Sequence, residues 1–178
     1  MLFAASLAAA CSTSPARVTD RLDPVTGTTT TVLTNPVELL TFENRGPSRD
    51  PYAYAAPFDI DRMGTHGLYL WVSVPQDAGT PASVRVLCDD QPLELTPARS
   101  DIQAAQLSRA PYKSVAPWTS DWYFRLPESA LKCLSSAQHM TVTADSTGTP
   151  GGRDDRFTAD AQALRGFAAF AARHAESR

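Results

Sequence analysis

The residues best suited to acid–base chemistry in this chain are its three histidines. Nucleophilic catalysis usually places a histidine beside a serine or a thiolate. His66 lies in the glycine-flanked turn 63–67, which lacks the Gly-x-Ser-x-Gly elbow. His139 opens a strand pattern, and His174 lies near the end of a predicted helix, where the dipole favours a charged imidazole. The sequence therefore predicts no catalytic residues, and we expect a protein that is not an enzyme.

Paired carboxylates are the second candidate for chemistry. Asp59 and Asp61 alternate along one strand pattern, and adjacent acids occur at 89–90 and 154–155. Calcium binding or acid–base work would be conceivable, but no Asp-x-Asp-x-Asp-Gly loop is present, and alternating acids are typical of the solvated face of a strand. The glycines at 148–152 are not followed by Lys-Ser or Lys-Thr, as a phosphate-binding loop requires. We expect no metal site and no cofactor.

Cys11 directly follows the run of apolar and small residues 2–10 and precedes the polar segment 12–15. This arrangement resembles the lipobox of bacterial lipoproteins, whose cysteine receives lipid and becomes the mature N-terminus. Leu7 lies four residues before the cysteine instead of the usual three, and no basic residue precedes the run. A start codon further upstream would supply that charge. The alternative is that residues 1–11 form an ordinary first helix or strand.

The lipobox resemblance implies attachment to a membrane through lipid on Cys11. No second apolar stretch approaches the roughly 20 residues that a spanning helix needs. Ser12 follows the cysteine where aspartate would favour the inner membrane, so the resemblance implies the periplasmic face of the outer membrane. The net charge of −3, with acids and bases interspersed, provides no positive field for a phosphate backbone. We expect an envelope protein as partner and no nucleic acid.

Cys88 and Cys133 remain once Cys11 is set apart as the lipidation site. In the oxidising periplasm, two thiols of one small domain pair when their Cα atoms come within about 7 Å. The alternative is that each cysteine is a small buried hydrophobe. Zinc is less favoured, because there is no Cys-x-x-Cys and the histidines are scattered. We expect a Cys88–Cys133 disulfide.

Four aromatic residues, Tyr112, Trp118, Trp122 and Tyr123, are close together in sequence and are candidates for a recognition surface. Amphipathic rings are favoured at interfaces. The alternative is that they belong to the core. Strand alternation puts Trp122 on one face with Phe124 and turns Tyr123 to the other face, so we expect part of the cluster to be exposed.

Short segments of alternating or continuous apolar character, separated by turn formers, dominate the chain and predict strands. The segment 68–74 is apolar at nearly every position, which indicates a central strand buried on both faces. A proline and an acid open a short helix near 128–136, and apolar spacing predicts an amphipathic helix over 158–174 that packs on the sheet. The remaining strands are predicted over 17–23, 28–33, 37–42, 52–61, 83–88, 93–95, 118–126 and 139–144.

These patterns predict a mainly β, α+β fold: an antiparallel β-sandwich or a curled sheet with the two helices. We assign 1–10 to the signal segment, truncated if translation starts upstream, 11–17 to a lipidated tether and 18–178 to a single domain. The segments 18–27 and 57–71 are similar to parts of uncharacterised proteobacterial envelope lipoproteins, a resemblance that implies no activity.

Two hypotheses of function follow from the Cys11 resemblance, the β pattern and the lack of catalytic residues. The first is an outer-membrane-anchored periplasmic lipoprotein that acts as a non-enzymatic structural or protein-interaction module. The alternative is a periplasmic ligand-binding or inhibitor module that uses the aromatic cluster and the loop 44–51 as its surface.

Replacing the lipidation sulfur tests the first of these. Cys11→Ser is expected to abolish incorporation of labelled fatty acid and to release the protein from the membrane fraction, because no other segment predicts a membrane span. Labelling and fractionation of cells that express each form check this. Undiminished labelling of the variant would reject the lipobox interpretation.

Overall fold

The computed structural model describes residues 16–41, 50–76, 81–145 and 154–177, which form eleven strands and three helices. With 49% strand and 19% helix, the predicted mainly β class is confirmed. Cys11, most of the loop 44–51 and the glycines at 148–152 lie outside the described residues. The strands are β1 Val18–Asp23, β2 Thr28–Leu33, β3 Val37–Leu40, β4 Tyr52–Arg62, β5 Thr65–Pro75, β6 Ser83–Cys88, β7 Gln91–Pro92, β8 Thr96–Pro97, β9 Thr119–Arg125, β10 His139–Asp145 and β11 Asp154–Asp160; the helices are α1 Arg99–Ala104, α2 Glu128–Ser136 and α3 Arg165–Glu176.

All strands join one antiparallel sheet that curls into a half-barrel, so the curled-sheet alternative is the one the chain adopts. Along the sheet the order is β7-β6-β10-β11-β3-β4-β5-β9-β8. The β1–β2 hairpin branches from this path, because β2 also pairs with β4. One edge of β4 thus serves two strands: β3 pairs with its first part, 52–55, and β2 with its last part, 58–61.

The β4–β5 hairpin is the longest element of the sheet, with eleven residues in each strand. Its two turn residues, Met63 and Gly64, have φ angles of 52° and 78°. Such a pair of left-handed residues makes a tight turn whose twist matches the strands that it connects. β5 lies between β4 and β9 and is buried from Tyr69 to Pro75, which confirms an interior strand covered on both faces.

Two apolar clusters cover the two faces of the sheet. One contains Leu70, Val72 and Val74 of β5 with Leu134 of α2 and Phe167 of α3. On this face a Cβ at Gly166 would lie 2.7 Å from a Leu33 methyl carbon, so α3 packs closely on β2. None of the helices among the described residues is long and apolar enough to cross a membrane.

The second cluster covers the opposite face and is built on bulky aromatic side chains of β4 and β5. Phe58 and Trp71 alternate with the residues of the first cluster, as the two-residue period of a strand requires. Ile102 of α1 and Leu107 pack on this face, and Tyr112 is buried within it. The segment from α1 to Tyr112 therefore acts as a lid over this face, although it contains little regular structure.

The Cys88–Cys133 disulfide is formed, as predicted, with a Cα–Cα distance of 6.3 Å. It connects the last residue of β6 to α2 across 45 residues of sequence. The helix follows Pro127, whose extended backbone leads out of the preceding segment, and it confirms the predicted short helix. The bond holds α2 against the sheet.

The predicted start of the C-terminal helix at Thr158 is wrong. Residues Asp154–Asp160 form β11 and pair with β10 along their whole length. The segment alternates: Asp155, Phe157 and Ala159 are buried while their neighbours are more exposed. Asp160 then accepts a hydrogen bond from the Ala163 N–H and begins a turn, and α3 starts at Arg165. A C-terminal amphipathic helix is present, but it is shorter than predicted.

Two smaller strand predictions are also wrong. β3 ends at Leu40 instead of reaching residue 42. The predicted strand 93–95 is irregular, because β7 is limited to Gln91–Pro92. After β7, one further backbone hydrogen bond to β6 is formed, from the Leu93 N–H to the Val86 carbonyl.

Loss of the disulfide is expected to destabilise the domain substantially. Closing a 45-residue loop is assigned about 4 kcal/mol by the chain-entropy model, against a total of roughly 5–15 kcal/mol for a domain. Cys133→Ser, made in a Cys11→Ser background and an oxidising compartment, should lower the melting temperature by several degrees. Cys88→Ser is the matched control and should have a similar effect. Two free thiols in the denatured parent protein would contradict the assignment.

Candidate functional site

The most open strand near the predicted aromatic cluster is β9. Its seven residues all pair with β5, whereas β8 pairs with Phe124 and Arg125 alone. One further bond runs from the Ala98 N–H to the Tyr123 carbonyl. Along 119–122, no second strand among the described residues continues the ladder. Such an edge presents backbone groups that an added strand can pair with.

The direction of these backbone groups follows from the bonds at the two ends of β9. The Leu126 N–H donates to the Leu68 carbonyl, and the Gln76 N–H donates to the Trp118 carbonyl. The backbone N–H and C=O groups of even-numbered residues in this segment therefore point towards β5. The register between β5 and β9 runs without a bulge. Because backbone groups alternate in an antiparallel ladder, the N–H and C=O of Asp121 point away from β5. They face the open side of the sheet edge.

The structure separates the four predicted aromatic residues into different environments. Trp118 is 56% exposed, and its Nε1 donates to an Asp50 carboxylate oxygen at 3.2 Å. Trp122 is half-buried and stacks on Phe124 with ring centroids 6.4 Å apart. Tyr123 is also half-buried but faces the other side, where it meets Phe58 edge-on. These three residues surround the edge of β9.

Tyr112, by contrast, is a core residue with 6% of its surface exposed. Its ring stacks on Trp71 with centroids 5.0 Å apart, and its hydroxyl donates to the Pro57 carbonyl at 2.9 Å. The same hydroxyl accepts a bond from the Leu33 N–H at 2.8 Å. Burial raises the pKa of this phenol well above its usual range. Tyr112 thus supports the fold, and Trp118, Trp122 and Tyr123 carry the candidate surface.

A cleft of about 720 Å³ lies along the open edge of β9. Its size is in the range of small-molecule and peptide sites. Burial, with a contribution from the Asp121 charge, raises the pKa of Tyr123 to about 12, so this phenol stays neutral near neutral pH. Other residues along the cleft are Gln76, Pro81, Pro97, Arg99, Thr119, Ser120, Asp121 and Trp122.

Polar side chains are organised along this cleft by hydrogen bonds. The Gln76 amide donates to the Ser120 hydroxyl at 2.6 Å, and the Ser114 hydroxyl donates to one oxygen of Asp121. The second oxygen of Asp121 and the Nε1 of Trp122 are buried without a hydrogen-bond partner among the described residues. Asp121 and Trp122 are consecutive in β9, so these two side chains point to opposite faces of the sheet.

The sequence did not predict the polar members of this cleft. Asp121 and Ser120 lie within the predicted strand 118–126, where alternation would assign each residue to a face but not to an edge. Gln76 and Arg99 come from other parts of the chain and join the site through the pairing of β5 with β9 and the position of α1. No local signal marks either residue.

A second polar site joins Asp59 of β4 to His174 of α3, with 2.9 Å between a carboxylate oxygen and Nδ1. Both side chains are about nine-tenths buried, and the imidazole stacks on Phe170. The interpretation of Asp59 as a solvated strand residue is wrong, because α3 covers this part of β4. The proximity of His174 to the end of its helix is confirmed, but the residue is buried.

The remaining histidines are more exposed and contact acids that lie near them. His66 Nδ1 is 4.0 Å from an Asp61 oxygen across the β4–β5 hairpin, and the His139 ring lies between Asp89 and Asp90. Within the described part of the chain, no hydrogen bond joins a serine, threonine or cysteine side chain to an imidazole, and no group of three His, Cys, Asp or Glu residues is arranged to hold a metal ion. The Asp59–His174 pair is therefore interpreted as a structural link.

Protein-family models, the curated proteins and the solved structures provide no match to this chain. The site is accordingly argued from its own geometry.

Breaking the Asp59–His174 pair is expected to destabilise the protein. Asp59→Ala leaves the buried imidazole of His174 without this partner, and an unsatisfied buried polar group costs about 1–3 kcal/mol. Asp61→Ala is the matched control on the same strand; its side chain is 42% exposed, and its expected effect is below about 0.5 kcal/mol. Urea unfolding measures both. Equal stabilities would show that the buried pair is dispensable for folding.

Proposed function

We propose that this protein is a lipid-anchored envelope protein, held by lipid on Cys11 at the periplasmic face of the outer membrane, and that it acts by binding another protein. The resemblance of the segment around Cys11 to a lipobox supports the anchor. Six residues lie between Cys11 and the first residue of β1, Val18, and an extended chain of these seven Cα–Cα steps reaches about 25 Å. An anchor at this position would keep the domain close to the membrane surface.

The proposed binding surface is the open edge of β9. The observation that carries it is the outward direction of the Asp121 backbone N–H and C=O, next to Trp122 and Tyr123 in a cleft of about 720 Å³. In strand addition, an extended peptide pairs with such an edge through main-chain bonds, and neighbouring pockets select alternate side chains. We propose that β9 accepts an extended segment of the partner in this way.

The side chains around the edge indicate what kind of segment fits. Trp118 and Tyr123 provide apolar ring surface, and Arg99 and Asp121 place one charge of each sign along the cleft. A segment with an apolar or aromatic side chain beside charged residues would match this surface. No catalytic step is assigned to it.

A small-molecule or inhibitor module is the second candidate function. It is favoured by the volume of the cleft, about 720 Å³, which is in the range of small-molecule sites. A compact ligand would lie among the side chains that line the cleft, such as Gln76 and Arg99. In this case recognition would depend on side chains and not on the backbone of β9.

Two substitutions at one position separate these candidates. Asp121→Pro removes an outward backbone N–H and leaves the ladder to β5 intact, because proline is tolerated where the N–H faces away from the sheet. Asp121→Ala keeps the N–H and removes the carboxylate. Strand addition predicts loss of binding in Asp121→Pro and near-normal binding in Asp121→Ala, whereas side-chain recognition predicts a loss in both.

A photo-crosslinking residue at Pro97, which lines the cleft, provides the measurement in intact cells. The expected result is a discrete protein adduct that Asp121→Pro abolishes and Asp121→Ala retains. The same probe at exposed Glu94 is the control and should give no such adduct. An adduct of equal yield in the parent and in Asp121→Pro, with unchanged melting temperatures, would contradict the proposal of strand addition.

A further inference from the structure

The tips of two hairpins lie side by side at the end of the sheet opposite the Trp118 end of β9. The register of β2 with β4 places Thr29 opposite Asp61, which brings the β1–β2 turn next to the β4–β5 turn. Three apolar side chains on these tips are strongly exposed: Leu22 at 68%, Val25 at 79% and Met63 at 94%. We call them the hairpin-tip surface.

The methionine at position 63 is unfavourable for the stability of the fold. It occupies the left-handed region with φ of 52°, which a side chain with Cβ adopts at a cost and which asparagine, aspartate or glycine tolerates better. Its side chain is almost fully in water, so it gains no burial in return. Neither backbone conformation nor packing explains a methionine here, and a conflict of this kind is typical of functional positions.

Unpaired positive charge surrounds the tips. Arg21, Arg62 and Arg109 form no ion pair with any residue that the structure describes. Arg21 donates to the Pro111 carbonyl, and the Ser108 N–H donates to Asp23, so the segment that carries Arg109 is held beside the β1–β2 turn. The three arginines therefore lie close to the apolar tips.

Asp23 and Asp61 offset this charge in part, and the three arginines exceed the two carboxylates by one. Asp23 accepts hydrogen bonds from the backbone N–H groups of Ser108, Val25 and Thr26, which hold the pKa of its carboxyl below the usual value and keep it ionised. Asp61 accepts a bond from the Gly64 N–H and lies 4.0 Å from His66. Among the described residues, neither carboxylate forms an ion pair with any of the three arginines.

We propose that the hairpin-tip surface inserts into the interfacial layer of a bilayer that contains anionic phospholipids. Single apolar side chains on projecting turns fit between lipid headgroups, whereas a protein partner would need a separate pocket for each of them. Arginines near the tips attract the lipid phosphates. The surface uses described residues alone, so the inference does not depend on lipidation of Cys11.

Met63→Asn tests the inference without damaging the fold. The experiment uses the full chain with Cys11→Ser and sedimentation with vesicles of phosphatidylcholine, with and without phosphatidylglycerol. The parent is expected to bind the anionic vesicles, and Met63→Asn to bind about tenfold more weakly while its melting temperature rises by a few degrees. Because stability should increase, weaker binding could not be attributed to unfolding.

Two further variants complete the test. Arg62→Gln is expected to weaken binding to the anionic vesicles about fivefold and to leave binding to phosphatidylcholine unchanged. Val115→Asn is the matched control, since Val115 is 51% exposed near the opposite end of the sheet, and it should bind like the parent. Absence of vesicle binding by the parent, or equal loss in Met63→Asn and Val115→Asn, would overturn the inference. Fatty-acid labelling at Cys11 is a separate measurement, so the anchor proposal can fail independently.

Discussion

A single phenol hydroxyl links β2 to β4 at the point where their ladder ends. If the register of β2 and β4 continued one step beyond Val32 and Phe58, Leu33 would face Pro57. Instead, the Tyr112 hydroxyl lies between them, accepting from the Leu33 N–H and donating to the Pro57 carbonyl. Proline has no N–H to return, so the ladder cannot close here on its own. The hydroxyl satisfies two buried backbone groups, and its ring anchors the segment that covers this face.

The division of β4 between two partners shapes both candidate surfaces. Because β2 pairs with the last part of β4, the β1–β2 hairpin projects beside the β4–β5 turn and forms the hairpin-tip surface. On the other side of β4, β5 extends to Pro75 and supports the open part of β9 at the far end. The two proposed contacts therefore lie at opposite ends of β5. A domain that touches a membrane at one end would present the β9 edge away from it.

Local periodicity predicted most elements of this fold. The continuous apolar segment 68–74 and the alternation in 83–88 and 118–126 became buried or half-buried strands, because the side-chain period of a strand depends on neighbouring residues alone. The same signal failed at 158–160, where Thr158, Ala159 and Asp160 fit the end of a strand and the start of a helix equally well. The segment forms strand β11 and not a helix because pairing with β10 provides hydrogen-bond partners for its backbone N–H and C=O groups.

The amino-acid sequence by itself determined the mainly β class, the short helix α2 and the candidate disulfide. Strand alternation and the proline at the start of α2 are local features, and the presence of two cysteines besides Cys11 is a matter of composition. Only the tertiary structure decided that Tyr112 is a core residue, that Asp59 meets His174, and that the Asp121 backbone faces a cleft. Each of these depends on contacts between residues distant in sequence. Burial and edge position are properties of the assembled sheet, and no segment contains them alone.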